Sequence, residues 1–186
     1  MTASFRPLWR LALFTSCVLL TPLAAYAALG ATSGTGVKFV AKGPAGVTIV
    51  GESAQLHVKD DGQQLTFVVP IAPLKTGIDL RDRHMKEKYL EVAKFPNAEL
   101  RVERKALSFP AAGQKAGQSA SGELLLHGKS KKETVKYTAT HDATGYAVTA
   151  TMHINMKDYG VEVPSYLGVT VKPEVEISVQ FHVAGS

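Results

Sequence analysis

Charged side chains crowd into residues 78–90, IDLRDRHMKEKYL, where they could form an active site. Asp79 and Asp82 are spaced as a carboxylate pair that could exchange protons with a substrate. Their basic neighbours favour the ionised form and lower the carboxylate pKa, which is the wrong direction for a general acid. Charges that alternate in sign along a helix are instead typical of a solvated face. Arg81 and His84 stand apart, because they lie near the predicted helix start, beside its apolar side, and can donate hydrogen bonds to a carbonyl or a phosphate.

The other residue types that carry chemistry form no catalytic or metal-binding pattern. The histidines, at positions 57, 84, 127, 141, 153 and 182, include no i, i+4 pair and no H-E-x-x-H motif. Ser165 lacks the G-x-S-x-G frame of a hydrolase nucleophile. The sequence therefore predicts a protein that is not an enzyme and that holds no metal.

The first 27 residues have the pattern of a secretory signal peptide. Arg6 and Arg10 precede an apolar run at 11–20, and small residues at both ends of Ala-Tyr-Ala (25–27) predict cleavage after residue 27. Cleavage removes Cys17, the single cysteine, so the mature chain has no disulfide. A chain without disulfides that enters an oxidising compartment must be stabilised by its core alone.

The sequence after residue 27 describes one domain. Of 186 residues, 159 follow the cleavage site, with 19 basic and 16 acidic side chains among them. That length is typical of a single domain. The net charge is too small to predict a nucleic-acid partner.

Apolar residues alternate with polar ones along most of this domain, which is the pattern of strands with one buried face. The clearest stretches are VTVKPEVEISVQFHV (169–183) and YAVTATMHIN (146–155). Pro173 interrupts the first and predicts an edge, a bulge or a kink there. Eight or nine strands in one domain predict a sandwich or a barrel. The shorter alternating segments lie at 37–41, 47–50, 53–59, 64–71, 98–106, 122–127 and 132–140.

Two segments depart from the strand pattern. Residues 79–92 predict one short helix, with Asp79 as its N-cap and an inward apolar stripe that begins at Met85. Pro96 blocks continuation of that helix. Residues 108–121 are small, polar and glycine-rich, and predict a flexible surface loop.

Four stretches along the domain carry a family resemblance. They are VKFVAKGP at 37–44, TGIDLRDRHMKEKYLEVAKFPNAELRV at 76–102, GELLLHGKSKKETVKY at 122–137 and INMKDYGVEVPSYLGVTVKPEVEISVQFHV at 154–183. In that order and spacing they resemble the YceI-like family, the bacterial periplasmic polyisoprenoid-binding proteins. The resemblance covers about residues 37–183, nearly the whole domain.

The resemblance implies an all-β fold, an antiparallel eight-stranded lipocalin-like barrel with one short helix at about 79–92 beside it. With the cleaved signal peptide at 1–27, it implies a single YceI-like domain over 28–186, located in the periplasm. Members of the family hold a long apolar chain, an isoprenoid quinone or a fatty-acid-like molecule, in the barrel lumen. The implied function is to bind, sequester or transport such an amphiphile. A barrel of eight strands is wide enough to hold one ligand of this kind.

A lumen ligand needs apolar walls and a polar mouth. For the walls we predict eleven contacts, each of which could instead be plain core packing. At the mouth we predict that Arg81, His84, Tyr159 and Tyr166 meet a polar head group, although Arg81 or His84 could instead clamp the helix to a strand end. The predicted wall contacts are Leu65, Phe67, Val69, Met85, Tyr89, Leu100, Val102, Val148, Met152, Ile154 and Phe181.

The predicted partner is a long-chain isoprenoid or fatty-chain ligand. No cofactor is expected besides this bound lipid, and transient contact with a membrane is compatible with the sequence. Both a monomer and a homodimer stay open. The alternative function is a non-lipid structural or interaction module of the cell envelope, in which the lumen is packed solid and the charged helix at 79–92 docks a partner protein.

Overall fold

The structure is a computed structural model that describes residue 29 and residues 32–166 and 169–184. The predicted signal peptide at 1–27 lies outside the described residues, so its cleavage stays a prediction. Within the described residues, no helix is long and apolar enough to cross a membrane.

Antiparallel strands make up most of the described chain. Nine of them form one sheet in the order β2-β1-β11-β8-β7-β6-β5-β4-β3, and β9 pairs with β10 in a separate two-stranded ribbon. The strands are β1 Thr32–Lys42, β2 Thr48–Ser53, β3 His57–Asp60, β4 Gln64–Pro70, β5 Asn97–Glu103, β6 Lys115–Leu126, β7 Lys129–His141, β8 Gly145–Asn155, β9 Ser165–Tyr166, β10 Val169–Thr170 and β11 Glu174–Ala184.

The two edge strands of the large sheet, β2 and β3, are consecutive in the chain. Only residues 54–56 separate them, and no ladder joins the two strands in the part of the chain that the structure describes. The first half of the 48–60 segment pairs with β1 and the second half pairs with β4. The sheet therefore curls into a half-barrel whose edges are linked by one broken strand. The predicted lipocalin-like fold is confirmed, and the ninth strand arises from this break.

The alternation of apolar residues predicts which face of the sheet is buried. Across the pair β8–β11, Ile154 lies opposite Val175, and Val148 lies opposite Phe181. All four side chains point to the interior, because residues opposite each other in a ladder share a face of the sheet. Pro173 lies between β10 and β11, where its carbonyl accepts a hydrogen bond from an amide outside the ladder.

The helical segment is shorter than the predicted span of 79–92. Helix α1 covers Asp79–His84, and one π-helical turn follows at Met85–Tyr89. The amide of Leu90 donates to the carbonyl of Met85 at 2.9 Å, and Glu91 then takes a left-handed φ of 43° that ends the helix. The end is thus local and precedes Pro96. The predicted cap is also wrong, since Ile78 occupies the N-cap position and provides no side-chain hydrogen bond.

The predicted loop at 108–121 is wrong over its second half. Residues 115–121 belong to β6, which pairs with residues 134–140 of β7 in a continuous antiparallel register. Glycine, serine and alanine have low intrinsic strand propensity, but pairing with a neighbouring strand overrides that preference. Ala120 is buried at 4% exposure, so this part of β6 has an inward face like the rest of the sheet.

Candidate functional site

The half-barrel encloses a cavity of about 760 Å³. Strands β1 to β8 and β11 all contribute to its wall, together with α1 and the π-helical turn. Its lining is dominated by Val, Leu, Ile, Met, Phe and Ala side chains. A volume of this order is typical of pockets that hold a small-molecule ligand, whereas a well-packed core has few voids larger than a water molecule.

Small side chains help to keep this space open. Five alanines line the wall, and larger apolar residues occupy many of the positions between them. The buried side chains form separate clusters towards the two ends of β8 and β11, one around Ile154 and Val175 and one around Phe181 and Val183. The lining alanines are Ala41, Ala98, Ala120, Ala139 and Ala150.

All eleven predicted wall residues line the cavity. They come from β4, β5, β8 and β11 and from the helical segment, which the fold brings together around one interior. Their position agrees with the predicted lumen, while their contact with a ligand stays a prediction. These residues are Leu65, Phe67, Val69, Met85, Tyr89, Leu100, Val102, Val148, Met152, Ile154 and Phe181.

Phe39 is a wall residue that the sequence prediction did not include. It lies opposite Gly51 in the β1–β2 ladder, and its ring covers the glycine. A Cβ at position 51 would lie 2.0 Å from Cε1 of this ring, so no larger residue fits there without a shift. The signal was the alternation Val37, Phe39, Ala41, which the structure shows on the inner face.

The helix start contributes a polar cluster to one part of the cavity wall. Thr76, Arg81 and His84 all line the cavity there. Arg81 donates to Thr76 twice, from Nε to Oγ1 at 2.7 Å and from Nη2 to the carbonyl oxygen at 2.7 Å. The Thr76 hydroxyl donates in turn to the carboxylate of Asp82 at 2.5 Å, and the Thr76 amide donates to the same oxygen at 2.7 Å. This cluster ties α1 to the segment that precedes it.

The carboxylate of Asp82 is ionised in this cluster. Asp82 is 8% exposed, and burial alone would raise the pKa of its carboxyl group. The hydrogen bonds from Thr76 and the charges of Lys86 and Arg81 outweigh burial and hold the pKa of Asp82 below its usual value. Sequence reasoning missed Thr76, because it lies three residues before α1 and outside the N-cap position, where a capping side chain is normally sought.

The predicted mouth residues divide into three groups. Arg81 and His84 line the cavity, but Arg81 uses two of its five N–H donors on Thr76, as a clamp would. Tyr159 does not line the cavity: it is fully buried, and its hydroxyl donates to Glu133 at 2.6 Å. The side chain of Tyr166 lies outside what the structure describes. Tyr159 is therefore not a mouth residue, because its hydroxyl fixes the 156–159 turn to β7.

Burial and the neighbouring carboxylate of Glu133 raise the pKa of Tyr159 far above its ordinary value. The hydroxyl therefore keeps its proton and acts as a hydrogen-bond donor over the whole physiological pH range. Gly160 follows in the left-handed region with φ 72°, which completes the turn. The D-Y-G motif thus has a structural role in this chain.

A second polar group lines the cavity near residues 108–109 and 137–146. The hydroxyl of Tyr137 accepts a hydrogen bond from the Ser108 amide at 2.6 Å and one from the Gln118 side chain at 2.7 Å. The ring of Tyr146 stacks on His141 with centroids 4.4 Å apart. These groups bond to one another or pack together, and the sequence prediction missed the Tyr137 contacts because its partners lie 29 and 19 positions away in the chain.

The histidines of the described residues do not gather into a metal site. Within residue 29, 32–166 and 169–184, no three His, Cys, Asp or Glu side chains come together in a way that could hold an ion. His127 bonds to Glu91 at 3.0 Å and His182 to Asp142 at 3.1 Å, while His57 and His153 lie exposed. The arrangement at the cavity is thus an apolar chamber with hydrogen-bond donors at the helix start.

An antiparallel sheet curled round an apolar chamber defines a lipocalin-type fold. The chain belongs to the YceI-like family, since a YceI-like domain is matched over residues 31–183. No curated protein matches the chain.

Solved structures show the same fold. A polyisoprenoid-binding domain from Saccharophagus degradans, implicated in plant cell wall breakdown, has a TM-score of 0.71 and 17% identity, with 87% of this chain and 99% of that chain covered. BcnA of Burkholderia cenocepacia has a TM-score of 0.63 and 20% identity, covering 81% of this chain and 96% of that chain. A YceI protein of Campylobacter jejuni has a TM-score of 0.51 and 15% identity, covering 71% and 80%. At these identities the likeness concerns the fold.

Proposed function

We propose that the chain binds a long-chain amphiphile, an isoprenoid or fatty-chain molecule, in the cavity and sequesters or ferries it through the periplasm. The observation that carries this proposal is the apolar chamber of about 760 Å³ inside the half-barrel. Its apolar lining suits a flexible hydrocarbon. The name of one structural relative, a polyisoprenoid-binding domain, points to the same class of ligand.

The energetics of burial support a ligand without many polar contacts. Each methylene group moved from water into an apolar site contributes roughly 0.8 kcal/mol. Ten buried carbons would therefore contribute about 8 kcal/mol before the cost of ordering the ligand is subtracted. The protein needs no reactive group for this task, and we propose binding with no catalytic step.

The polar head of such a ligand would lie at the helix start. His84 is exposed and lines the cavity, so its ring can reach a head group that projects towards solvent. Arg81 supports this part of the wall through its two hydrogen bonds to Thr76. The alternative function requires a lumen packed solid, and an open chamber of this size counts against it.

The test is extraction of the protein purified after secretion into the periplasm, followed by mass spectrometry of the organic phase. We expect one isoprenoid or fatty-chain species in near-stoichiometric amount. A lipid-free extract from monodisperse protein that also fails to bind added fatty acid would contradict the proposal. The same preparation tests the compartment, since an N-terminus at residue 28 is expected from the signal peptide.

A further inference from the structure

Exposed apolar side chains surround one opening of the cavity. Among the residues that the structure describes, four large apolar side chains are exposed, and Val47, Ile78 and Leu80 are three of them, at 43%, 53% and 45%. All three also line the cavity. Each therefore contacts both the ligand space and the solvent, which places it at an opening. We call these three residues the rim.

The backbone brings the rim residues to the same side of the barrel. Val47 directly precedes β2, and Lys75 pairs with Glu52 near the other end of that strand through backbone hydrogen bonds of 2.8 and 3.0 Å. The pairing is antiparallel, so the chain from Lys75 to Ile78 runs back towards the start of β2, where Val47 lies. The fourth exposed apolar residue, Phe109, also lines the cavity, but it lies in a different region, where it contacts Tyr146.

Basic side chains flank the rim. Exposed Lys42 is the last residue of β1, directly before the connection that contains Val47, and the amide of Lys172, also exposed, donates to the Lys42 carbonyl at 2.6 Å. Residues 75–86 add four basic side chains against two acidic ones. One of those acids, Asp82, is buried and bonded to Thr76, which leaves Asp79 as the exposed acid of the segment.

We propose that the rim docks the protein on the surface of an anionic lipid bilayer. Exposed apolar residues with basic neighbours are the combination that binds such an interface, where the apolar groups enter the head-group layer and the cations meet anionic lipids. The purpose of docking, which is to deliver a ligand to the cavity, rests on the proposed function. An apolar rim pressed against the bilayer gives a hydrocarbon ligand a path to the cavity that avoids water. Three side chains give reversible attachment, as a carrier requires.

The experiment is flotation of the mature protein with vesicles of equal parts phosphatidylglycerol and phosphatidylcholine, and with vesicles of pure phosphatidylcholine. We expect binding to the anionic vesicles only, with affinity that falls as salt is added. Arg83→Glu should weaken binding roughly 25-fold. It changes the charge beside the rim by two units, and each unit changes the affinity for an anionic surface about fivefold. Ile78→Ser should also weaken binding. Lys136→Glu is the matched control, because it makes the same charge change on β7, and it should bind like the wild type.

A fluorescent fatty acid, titrated into the same proteins without vesicles, separates docking from ligand binding. Arg83 is exposed and does not line the cavity, so Arg83→Glu should keep wild-type affinity for the fatty acid. Loss of vesicle binding with fatty-acid binding intact supports the proposal. The proposal is overturned if wild-type protein does not bind anionic vesicles, or if Arg83→Glu and Lys136→Glu weaken vesicle binding equally. Either result would favour a protein partner for the rim. Vesicle binding without fatty-acid binding would support docking while contradicting the proposed function.

Discussion

The side chain of Thr76 lies between Arg81 and Asp82, accepting a hydrogen bond of 2.7 Å from the guanidinium and donating one of 2.5 Å to the carboxylate. The cluster holds α1 against the segment before it and gives that part of the cavity wall a fixed shape. One threonine thus connects a cation on the cavity wall to a buried anion. The sequence places the three residues close together but does not reveal that they bond.

Thr76→Val should lower the free energy of unfolding by about 1–3 kcal/mol, because Asp82 loses a donor while it stays buried. Valine keeps the shape of threonine, so the effect isolates the hydroxyl. Thr76→Ser retains the hydroxyl and should lose less than half as much. Urea denaturation of the two variants provides the measurement. Equal losses would show that the hydroxyl of Thr76 is not what stabilises the helix start.

Arg81→Ala distinguishes the clamp from a head-group contact. Because Arg81 donates twice to Thr76, we expect the variant to lose affinity for a fatty acid and for the corresponding neutral alcohol by similar factors. His84→Ala, at the same part of the wall, should instead weaken the fatty acid selectively, by roughly tenfold, since a donor to a carboxylate is lost. Fluorescence displacement titrations measure both. A loss restricted to the fatty acid in Arg81→Ala would assign the guanidinium to the ligand.

Asp60 should make stability depend on pH below about 4. Its carboxylate is fully buried, pairs with Arg104 and accepts amide hydrogen bonds from Gly62 at 2.9 Å and Leu29 at 3.1 Å. Burial alone would raise the pKa of Asp60, but these hydrogen bonds outweigh it and hold the pKa below its usual value. The stability that the pair contributes is therefore present above the unfolded pKa of about 3.9 and is lost as pH falls through the lower folded pKa.

The check is denaturation of wild type and Asp60→Asn across the acid range. The variant should be less stable by about 3 kcal/mol at pH 7, because it loses the buried ion pair between Asp60 and Arg104. The difference should shrink as the solution is acidified below pH 4. Parallel curves for the two proteins would mean that other carboxylates govern the acid response.

The strands and the wall of the cavity follow from sequence because both depend on the same alternation. In β8, Val148, Met152 and Ile154 are among the inward residues of a period-two pattern, and a half-barrel turns every inward residue towards one interior. A pattern local to each strand therefore predicts a site that is assembled from the whole chain.

The features that sequence reasoning missed depend on partners far away in the chain. Tyr159 meets Glu133 across 26 positions, and nothing near the D-Y-G motif indicates that the tyrosine turns inward. Residues 115–121 read as a loop because their strand conformation comes from the ladder with β7. The length of the helix was missed for a local reason, since Glu91 takes a left-handed φ of 43° that ends the helical segment after Tyr89.

The central claim, that the ligand occupies this cavity, is tested most directly by filling the cavity. Val148 lines its wall, and Thr149, the next residue on β8, is exposed on the outer face. Titration with a fluorescent fatty acid should give one site per chain in wild type and in Thr149→Trp, and at least tenfold weaker binding in Val148→Trp. Circular dichroism would check that both variants are folded. Undiminished binding by folded Val148→Trp would contradict the placement of the ligand in the half-barrel.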